Sequence, residues 1–527
     1  ETVSGKALKK GRRFRGEGLI LTVDIGTSSF KTALWTFEGT RIAGAAAPLS
    51  ITVNDGLRHE VDPAQWPEAF ENCCRRLGSL SAVEALVISG NGPSLAPVTG
   101  RADAAGGAAP PAAAARLWLD RRAEKAAAEV SALMGDYVDP GFFLPKALGI
   151  KNDEPALYER TLFFLGCPEY LTYALTGEAR FVFPSEGFDR WYWNDEILRK
   201  LGLDAEKFPP FISPGETAGT VLPGAAGRFG FRAGIPVIAG GPDFFVSILG
   251  AGVVKPGQVC DRSGTSEGIN LCTEKRITDK RLMSYGHPIK PYWNLSGIIS
   301  TTGKAIEWGR DLLGLKSYDE FYSLAASAGG EASGNGFGIR ASADTGLPAG
   351  NPGIRGPRRN VPVFLPYLAG ERAPLWDPSV RGAFLGLGLS SGRAEFARSI
   401  IEGVCLAIRD VITVMEEAGA GVGELRVAGT AAESGVLNQI KADLTGREVL
   451  IPACREAELL GLALVGACAL GKYNSFAEAA SVLVKIEDRR YPDEKKAPLY
   501  DRLFREYRGA YRALKSMSPV GQPDTPL

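Results

Sequence analysis

A short run of small and hydroxyl-bearing residues between two apolar segments constrains this chain more than any other feature. Gly18–Phe37 predicts a buried strand, a tight Gly-Thr-Ser-Ser turn and a second strand. We call Gly26, Thr27 and Ser28 the first phosphate turn, because backbone N–H groups and hydroxyls in such a concavity can bind a phosphate. The same residues also occur in hairpins where they serve only the turn geometry. The motif alone leaves both interpretations open.

Two charged residues flank this turn and extend the phosphate hypothesis. Asp24 ends the first apolar run, and a carboxylate there can hold Mg²⁺ through water, since Mg²⁺ in proteins usually keeps several of its waters. Lys31 adds a positive charge near the start of the second strand. The pattern therefore predicts both a metal residue and a cation beside the turn.

A similar strand–turn–strand motif follows near the middle of the chain. Gln258–Leu271 carries Gly264, Thr265 and Ser266, the second phosphate turn, between two apolar strands. The two turn glycines are 264 − 26 = 238 positions apart. Repetition of the whole strand context is more informative than repetition of three small residues. It predicts two related α/β halves, each contributing one turn to a shared cleft.

Composition excludes several classes of function. Lys+Arg and Asp+Glu both total 60, so the chain lacks the basic excess of nucleic-acid-binding proteins, and its two histidines cannot build a multi-histidine metal centre. The eight cysteines show neither C-x-x-C nor zinc spacing, which favours a reducing cytoplasm. No apolar run reaches about twenty residues. We expect a cytoplasmic protein without nucleic-acid or membrane partners, and a homodimer as the default oligomeric state.

Length and composition shifts suggest the domain organisation. A chain of 527 residues corresponds to about two to four domains. The predicted division is a basic N-terminal tail over 1–17, a first domain over 18–251, a second over 252–490, and a C-terminal helix and tail over 491–527. Within the first domain, Leu117–Arg122 is predicted to open a helix.

Five separated motifs resemble those of the FGGY family of carbohydrate kinases, most nearly its xylulokinase-like members. They are Asp24–Lys31 and Arg262–Ser266 as phosphate motifs, Gly240–Asp243 at the position of the catalytic aspartate, the signature Phe364–Leu387, and Glu402–Val404 on the helix after it. The resemblance covers Gly18–Tyr473. It implies an α/β fold with two RNase-H-like domains of the actin/hexokinase superfamily flanking a cleft for ATP and a sugar.

The resemblance also implies roles for individual residues. Phosphoryl transfer needs a positioned hydroxyl, a base for its proton, and donors with a metal around the phosphates. Asp243 is the implied base, although an aspartate before a helix is also a favoured N-cap. Asp24 is the implied Mg²⁺ residue. The implied ATP and phosphate residues are Gly26, Thr27, Ser28, Lys31, Gly264, Thr265, Gly429, Thr430, Ala431 and Ser434.

The adenosine loop departs from the family pattern. Gly429–Ser434 keeps one of three usual glycines, and Glu433 stands where the family has lysine. Backbone approach to the nucleotide is less free with Thr and Ala than with glycine. The departure puts nucleotide affinity and preference in question.

The implied substrate residues are Trp118, Asp120, Arg122 and Asn91, with Asp243 beside the reacting hydroxyl. Asn91-Gly92-Pro93 lacks the polar groups typical of xylulokinases and glycerol kinases at this place. A site without the matching hydrogen-bond partner discriminates poorly for a substrate. The segment therefore weakens both ordinary specificities.

Two functions remain open from the sequence. The first is ATP-dependent phosphorylation of a hydroxyl on a ketopentose or a related sugar or polyol. The second is a pseudokinase that keeps the fold as a sugar sensor or scaffold, suggested by the altered adenosine loop and substrate segment. An activator ATPase is a third reading, but the isolated Cys73-Cys74 pair is not the iron–sulfur pattern of such proteins.

Overall fold

The computed structural model describes residues 18–103, 110–189, 191–328 and 360–516. The predicted tail over 1–17 and the end of the predicted C-terminal tail, 517–527, lie outside the described residues.

Strands and helices alternate along the described chain. The strands are β1 Leu19–Ile25, β2 Ser29–Trp35, β3 Arg41–Pro48, β4 Val53–Asp55, β5 Arg58–Val61, β6 Val83–Gly90, β7 Ala96–Val98, β8 Ala115–Arg116, β9 Phe163–Leu165, β10 Phe181–Val182, β11 Phe211–Ile212, β12 Thr217–Thr220, β13 Pro236–Pro242, β14 Gln258–Ser263, β15 Glu267–Thr273, β16 Met283–Gly286, β17 Trp293–Ile299, β18 Val363–Leu365, β19 Ala383–Leu385, β20 Glu424–Gly429, β21 Val449–Pro452 and β22 Ile486–Arg490. The helices are α1 Gln65–Leu77, α2 Glu124–Met134, α3 Phe143–Asp153, α4 Pro155–Arg160, α5 Cys167–Thr176, α6 Asp195–Lys200, α7 Pro223–Phe229, α8 Asp243–Gly250, α9 Gly303–Leu312, α10 Tyr318–Ser327, α11 Arg393–Glu417, α12 Gly435–Thr445, α13 Ala457–Ala469, α14 Phe476–Leu483 and α15 Ala497–Ser516.

The described chain divides into two compact units. The first unit comprises 18–250 together with 458–483, and the second comprises 251–457 together with 484–516. The change of unit at 250 lies one residue from the boundary predicted between the domains. The segment 458–483 falls within the predicted second domain but packs with the first unit.

The first unit is built on a six-stranded sheet in the order β12-β13-β6-β1-β2-β3. β1, β2 and β3 form an antiparallel meander, whereas β1, β6 and β13 run parallel. All seven residues of β1 are buried, which explains its continuous apolar run. Helix α13 joins this unit through close contacts at two glycines. A Cβ on Gly461 would lie 1.9 Å from the Val246 carbonyl oxygen, and one on Gly466 would lie 2.6 Å from Val87 Cγ2.

The second unit repeats this topology in a seven-stranded sheet of order β16-β17-β15-β14-β20-β21-β22. β17, β15 and β14 form the antiparallel part, and β14, β20 and β21 run parallel. The order β3-β2-β1-β6-β13 of the first unit thus corresponds to β17-β15-β14-β20-β21. This correspondence confirms two related α/β halves, each beginning with the predicted strand–turn–strand motif.

The segment before α2 differs from its prediction. Leu117–Arg122 does not open a helix, because α2 begins only at Glu124. The Asp120 carboxylate instead accepts hydrogen bonds from the backbone N–H groups of Arg122 and of His59. Such side-chain bonds offer the backbone an alternative to the helix.

Each unit has its own apolar core, centred on its sheet and on the helices that cover it. In the second unit the core includes α11, which is buried on all sides over residues 399–408. All eight cysteines are free thiols. Among the described residues, no helix is long and apolar enough to cross a membrane.

Candidate active site

Three parallel strands of the first unit bring the predicted chemistry to one sheet edge. Asp24 lies near the carboxyl end of β1, Asn91 follows β6 directly, and Asp243 follows β13. Gly90 of β6 is paired with Pro242 of β13, so the strands end level with each other. Two strand spacings place β1 and β13 roughly 10 Å apart at this edge. The two carboxylates predicted as metal residue and base, Asp24 and Asp243, therefore lie at the same end of the sheet, two strands apart.

The pKa of the Cys167 thiol reflects the negative charges near this end of the sheet. Burial raises the pKa of its thiol, and the carboxylates of Glu169, Asp24 and Asp243 raise it further. The two carboxylates predicted to act in phosphoryl transfer therefore lie within electrostatic range of one thiol. The Cys167 Sγ donates a hydrogen bond of 3.2 Å to the Asn91 carbonyl oxygen, which ties α5 to the same edge.

Asp243 begins α8 and remains partly exposed. Its Oδ1 accepts the N–H of the next residue, Phe244, at 2.7 Å, whereas the bond of an N-cap reaches the second or third residue of the helix. Two glycines before it allow close packing: a Cβ on Gly240 would lie 2.6 Å from the Ile88 carbonyl oxygen, and Gly241 has a φ of +95°. The strand thus approaches β6 closely and then turns to present the carboxylate at the sheet edge.

The first phosphate turn is closed by a hydrogen bond of 2.9 Å from the Gly26 N–H to the Ser29 carbonyl. Thr27 is partly exposed and Ser28 exposed, so both can meet a ligand. Asp24 and Lys31 are cross-strand partners, and their side chains therefore share one face of the hairpin. A carboxylate at a strand end, beside accessible backbone and hydroxyl donors, is a donor set that fits a hydrated Mg²⁺ with a phosphate.

One of the predicted substrate residues is bonded to this turn. Trp118 Nε1 donates to Thr27 Oγ1 at 3.0 Å. Trp118 therefore lies directly against the phosphate turn, although 91 positions separate the two residues in the chain.

Arg122 lies between two carboxylates and is hydrogen-bonded to both, those of Asp120 and Glu60. Asp120 is only 1% exposed, and its two oxygens accept from Arg122 Nε at 3.1 Å each. Burial acts to raise the pKa of Asp120, but the hydrogen bonds from Arg122 and the His59 N–H, together with the charge of Arg122, hold it below the usual range. Arg122 also donates to Glu60 at 2.5 Å, and its side chain keeps 22% exposure. Arg122 is thus the member of the group that faces solvent, and Asp120 fixes its position.

Asn91 is engaged at both ends of its amide. Its Nδ2 donates to the Ile25 carbonyl at 2.9 Å, and its Oδ1 accepts from Ser94 Oγ at 2.6 Å. The side chain is buried. These bonds fix the path of the chain after β6 relative to the end of β1.

The second phosphate turn lies in the second unit and is packed against the start of α9. The Gly264 N–H donates to the Ser266 carbonyl at 2.8 Å, and the Thr265 carbonyl accepts from the Lys304 N–H at 3.2 Å. A Cβ on Gly303 would lie 2.1 Å from the Gly264 carbonyl oxygen. The helix therefore meets the turn backbone to backbone.

The predicted nucleotide residues lie at the end of the neighbouring strand. Gly429 of β20 pairs with Ser263 of β14, the residue that precedes the second phosphate turn. Thr430 and Ala431 continue in a 3₁₀ turn, and Ser434 caps α12 by accepting the Leu437 N–H at 3.2 Å. The six residues predicted for this side, Gly264, Thr265, Gly429, Thr430, Ala431 and Ser434, thus belong to the ends of two adjacent strands.

The signature segment, 364–387, holds the backbone that leads to α9 through the side chain of Glu371. Glu371 is 4% exposed, and its Oε1 accepts the N–H groups of Ser300 at 2.7 Å and of Arg372 at 2.8 Å. Burial raises the pKa of Glu371 to about 7. Because Ser300 follows β17 and leads into α9, Glu371 fixes the approach to the second phosphate turn.

Family models match both halves of the chain. The N-terminal domain of the FGGY family of carbohydrate kinases matches residues 19–250, and the C-terminal domain of that family matches residues 262–470. The chain belongs to the FGGY family of carbohydrate kinases. Membership confirms the predicted fold class and makes the chain a sugar kinase by family.

Individual relatives of this FGGY kinase match over nearly its whole length. It is 27% identical to a xylulose kinase of Escherichia coli over 94% of this chain and 99% of the relative. It is 26% identical to a gluconokinase of Bacillus subtilis over 92% and 94%. Solved structures of a xylulose kinase from Rhodospirillum rubrum (TM-score 0.76, 23% identity, 95% and 99% covered) and a gluconate kinase from Lactobacillus acidophilus (TM-score 0.77, 21% identity, 95% and 98% covered) share its fold.

Several residues that contact the candidate site of this kinase were not predicted from the sequence. Glu60 was not singled out because it lies in a polar hairpin with ordinary composition. Lys146 did carry a signal, since it is the only charged residue of Phe142–Ile150, an otherwise apolar run. The sequence around Thr302 and Gly303 gives no sign of a function, because these residues matter only through their contact with the second phosphate turn, which is distant in the chain.

Replacement of Gly429 by alanine is expected to weaken ATP binding in this FGGY kinase. Gly429 has a φ of +77°, and a Cβ would lie 2.0 Å from the Ser263 carbonyl oxygen, so the substitution must separate β20 from β14. We expect the KM for ATP to rise about tenfold or more, since small misplacements are costly at a binding site. Steady-state kinetics with varied ATP measure this.

Gly446→Ala is the matched control for that substitution. Gly446 has a similar φ of +67°, but a Cβ there would meet no atom within 4 Å, so the variant carries the left-handed strain alone. Equal KM values for ATP in the two variants would show that the contact between Gly429 and Ser263 is not needed for nucleotide binding.

Proposed function

We propose that this protein transfers the γ-phosphoryl group of ATP to a hydroxyl of a ketopentose or a related sugar or polyol. One observation supports this most strongly. Asp24 and Asp243 occur at one edge of three parallel strands, beside an accessible Gly-Thr-Ser turn, in a chain that is a carbohydrate kinase by family. The names of its relatives, xylulose kinases and gluconokinases, support a small polyhydroxylated acceptor.

Asp243 is proposed as the general base. Its carboxylate lies at the start of α8, at the carboxyl end of β13. It accepts the proton of the attacking hydroxyl as the new oxygen–phosphorus bond forms. The partial exposure of Asp243 leaves its carboxylate accessible to a sugar.

Asp24 is proposed to hold Mg²⁺, through water, at the phosphates. When bound, the cation neutralises the charge that the phosphate oxygens carry during transfer. Gly26, Thr27 and Ser28 donate to the γ-phosphate, with Lys31 as a nearby positive charge. Residues of the second phosphate turn and of Gly429–Ser434 bind the remainder of ATP.

The acceptor is proposed to bind between two substrate segments, 91–94 and 116–122. Arg122 is a partly exposed cation of these segments, held beside Asp120, and is proposed to donate to sugar hydroxyls, and Trp118 offers an apolar face. Asp120 contributes by holding Arg122, and Asn91 by holding the first segment. This assignment makes Arg122 the polar group that discriminates among acceptors. The free thiols favour the reducing cytoplasm as the place of action.

A panel of acceptors tests the proposal. Purified protein is mixed with ATP and Mg²⁺, and ADP release is followed with D-xylulose, D-ribulose, L-ribulose, gluconate and glycerol. We expect a ketopentose to give the highest kcat/KM. A higher kcat/KM for gluconate or glycerol would refute the ketopentose assignment. ADP release that no acceptor stimulates would refute the kinase activity and favour a pseudokinase.

A further inference from the structure

A fully buried lysine lies behind the substrate segments. Lys146 of α3 has no exposed surface, and its Nζ donates to the carbonyl oxygens of Pro93 at 2.6 Å and of Arg116 at 3.3 Å. Burying an amino group is costly unless hydrogen bonds compensate it. Burial also lowers the pKa of Lys146. The fold thus buries an amino group, at a cost in free energy, where a hydrocarbon side chain would fill the same volume.

The two acceptors of Lys146 belong to the two different substrate segments. Pro93 lies in 91–94, directly after β6, and Arg116 begins 116–122 at the end of β8. Both acceptors are backbone carbonyls, so the bonds set main-chain positions. Lys146 thus adds a side-chain link between two segments that are separate in sequence and that also meet at the backbone, where Leu95 and Arg116 exchange two hydrogen bonds of 2.9 Å.

The segments are also tied to the first phosphate turn, which closes the network. Asn91 donates to the Ile25 carbonyl with both its backbone N–H at 2.8 Å and its Nδ2 at 2.9 Å. Trp118 donates to Thr27. Lys146 and the backbone pair of Leu95 with Arg116 link the substrate segments to each other. The phosphate turn and both segments thus form one continuous hydrogen-bonded ring.

We propose that Lys146 is a positioning residue that sets the spacing of the acceptor site. The proposal rests on the proposed function, because it assigns the two segments to acceptor binding. Without Lys146 the Pro93 carbonyl loses this donor while Arg116 keeps its backbone bonds with Leu95, so the segment 91–94 shifts relative to 116–122. Displacements of about 1 Å in a positioned substrate can cost about 100-fold in rate. Acceptor binding then weakens, whereas ATP binding, which depends on other residues, does not.

Lys207 provides a matched control for a purely structural role. It lies in the same unit, is 9% exposed, and donates to the Thr161 carbonyl at 2.7 Å. Its other contacts are with Tyr158, Glu159 and Asp204, all outside the substrate segments. Lys207→Met therefore removes a buried lysine with carbonyl acceptors and leaves the ring intact.

The test compares Lys146→Met and Lys207→Met in the full-length protein. The melting temperature, the KM and kcat for the best acceptor of the panel, and the KM for ATP are measured for each. We expect Lys146→Met to raise the acceptor KM about tenfold or more, while the KM for ATP stays within about twofold. Lys207→Met should lower the melting temperature and leave both KM values unchanged. Lys146→Gln, which keeps a shorter donor, should give an intermediate acceptor KM.

Other results would overturn the proposal. An unchanged acceptor KM in Lys146→Met, or an equal rise in the KM for ATP, would leave Lys146 with a structural role only. Failure of both Lys146→Met and Lys146→Gln to fold would likewise assign it to folding. If the wild-type protein and Lys207→Met both lack acceptor-stimulated ADP release, the proposed function fails and this inference falls with it. If both retain that activity, only the inference about Lys146 is at stake.

Discussion

Asp243→Asn is expected to lower kcat for sugar phosphorylation by about 100- to 10,000-fold, the range typical of a general base. The substitution removes the proton acceptor but keeps the size of the side chain and an Oδ1 that can accept the Phe244 N–H. The fold and the melting temperature should therefore be unaffected. Single-turnover and steady-state assays with the best acceptor measure the loss.

Asp195→Asn is the matched control for this substitution. Asp195 also lies in the first turn of a helix, α6, but it is exposed and outside the residues of the candidate site. It should keep full activity. Retention of more than about a tenth of wild-type kcat by Asp243→Asn would contradict the role of Asp243 as base.

The second large effect is a loss of stability, expected when a buried group of three ionisable side chains in the second unit is disrupted. Lys441 of α12 is fully buried and contacts both Asp261 of β14 and Glu267 of β15, the latter at 3.0 Å. Burial and the neighbouring Glu267 raise the pKa of Asp261. Burial also acts to raise the pKa of Glu267, but the charge of Lys441 and the hydrogen bonds that Glu267 accepts together lower that pKa. Lys441 therefore compensates the charge of Glu267, the residue directly after the second phosphate turn.

Lys441→Met is expected to lower the free energy of unfolding by about 3–5 kcal/mol, because a buried carboxylate loses its compensating charge. Denaturant titration measures this loss. The second phosphate turn should also loosen, and the KM for ATP should rise.

Lys496→Met is the comparison variant for this loss of stability, because Lys496 also pairs with a carboxylate on α12. Lys496 pairs with the buried Asp443 of α12 at 2.9 Å, but its own side chain is 36% exposed, and Asp443 also accepts from Gln439 Nε2 at 2.8 Å and from the Asp493 N–H at 2.9 Å. An exposed partner typically contributes about 0–1 kcal/mol. Equal losses in Lys441→Met and Lys496→Met would contradict the argument that burial makes Lys441 critical.

Much of the fold follows from local patterns in the sequence. The hairpin around the first phosphate turn and its repetition at Gly264 were predictable, because both strands of each hairpin are adjacent in the chain. The helix Arg393–Glu417 was predictable from its apolar spacing. The resemblance of separated motifs then gave the fold class, which no single stretch could give.

What could not be predicted depends on distant partners. The apolar composition of α13 predicts burial, but it does not say which sheet buries the helix; Gly461 and Gly466 decide this by their contacts with the first unit. Leu117–Arg122 was wrongly predicted as helical, because Asp120 bonds to His59, 61 positions away.

The same limitation applies to the candidate site. Asn91 was selected as a substrate residue because it stands where relatives have polar groups, yet its amide is engaged with Ile25 and Ser94. Whether it also contacts a substrate stays a prediction. Sequence spacing places a residue near a site, but only the packing shows which of its atoms are already in use.

The central claim is that ATP turnover and sugar phosphorylation by this protein are one reaction. The most direct measurement quantifies ADP and phosphorylated sugar in the same sample, with the ketopentose that gives the highest kcat/KM, by mass spectrometry of the product. We predict equal molar amounts of ADP and a monophosphorylated ketopentose. ADP formed without a phosphorylated sugar would contradict the claim and show an ATPase instead of a sugar kinase.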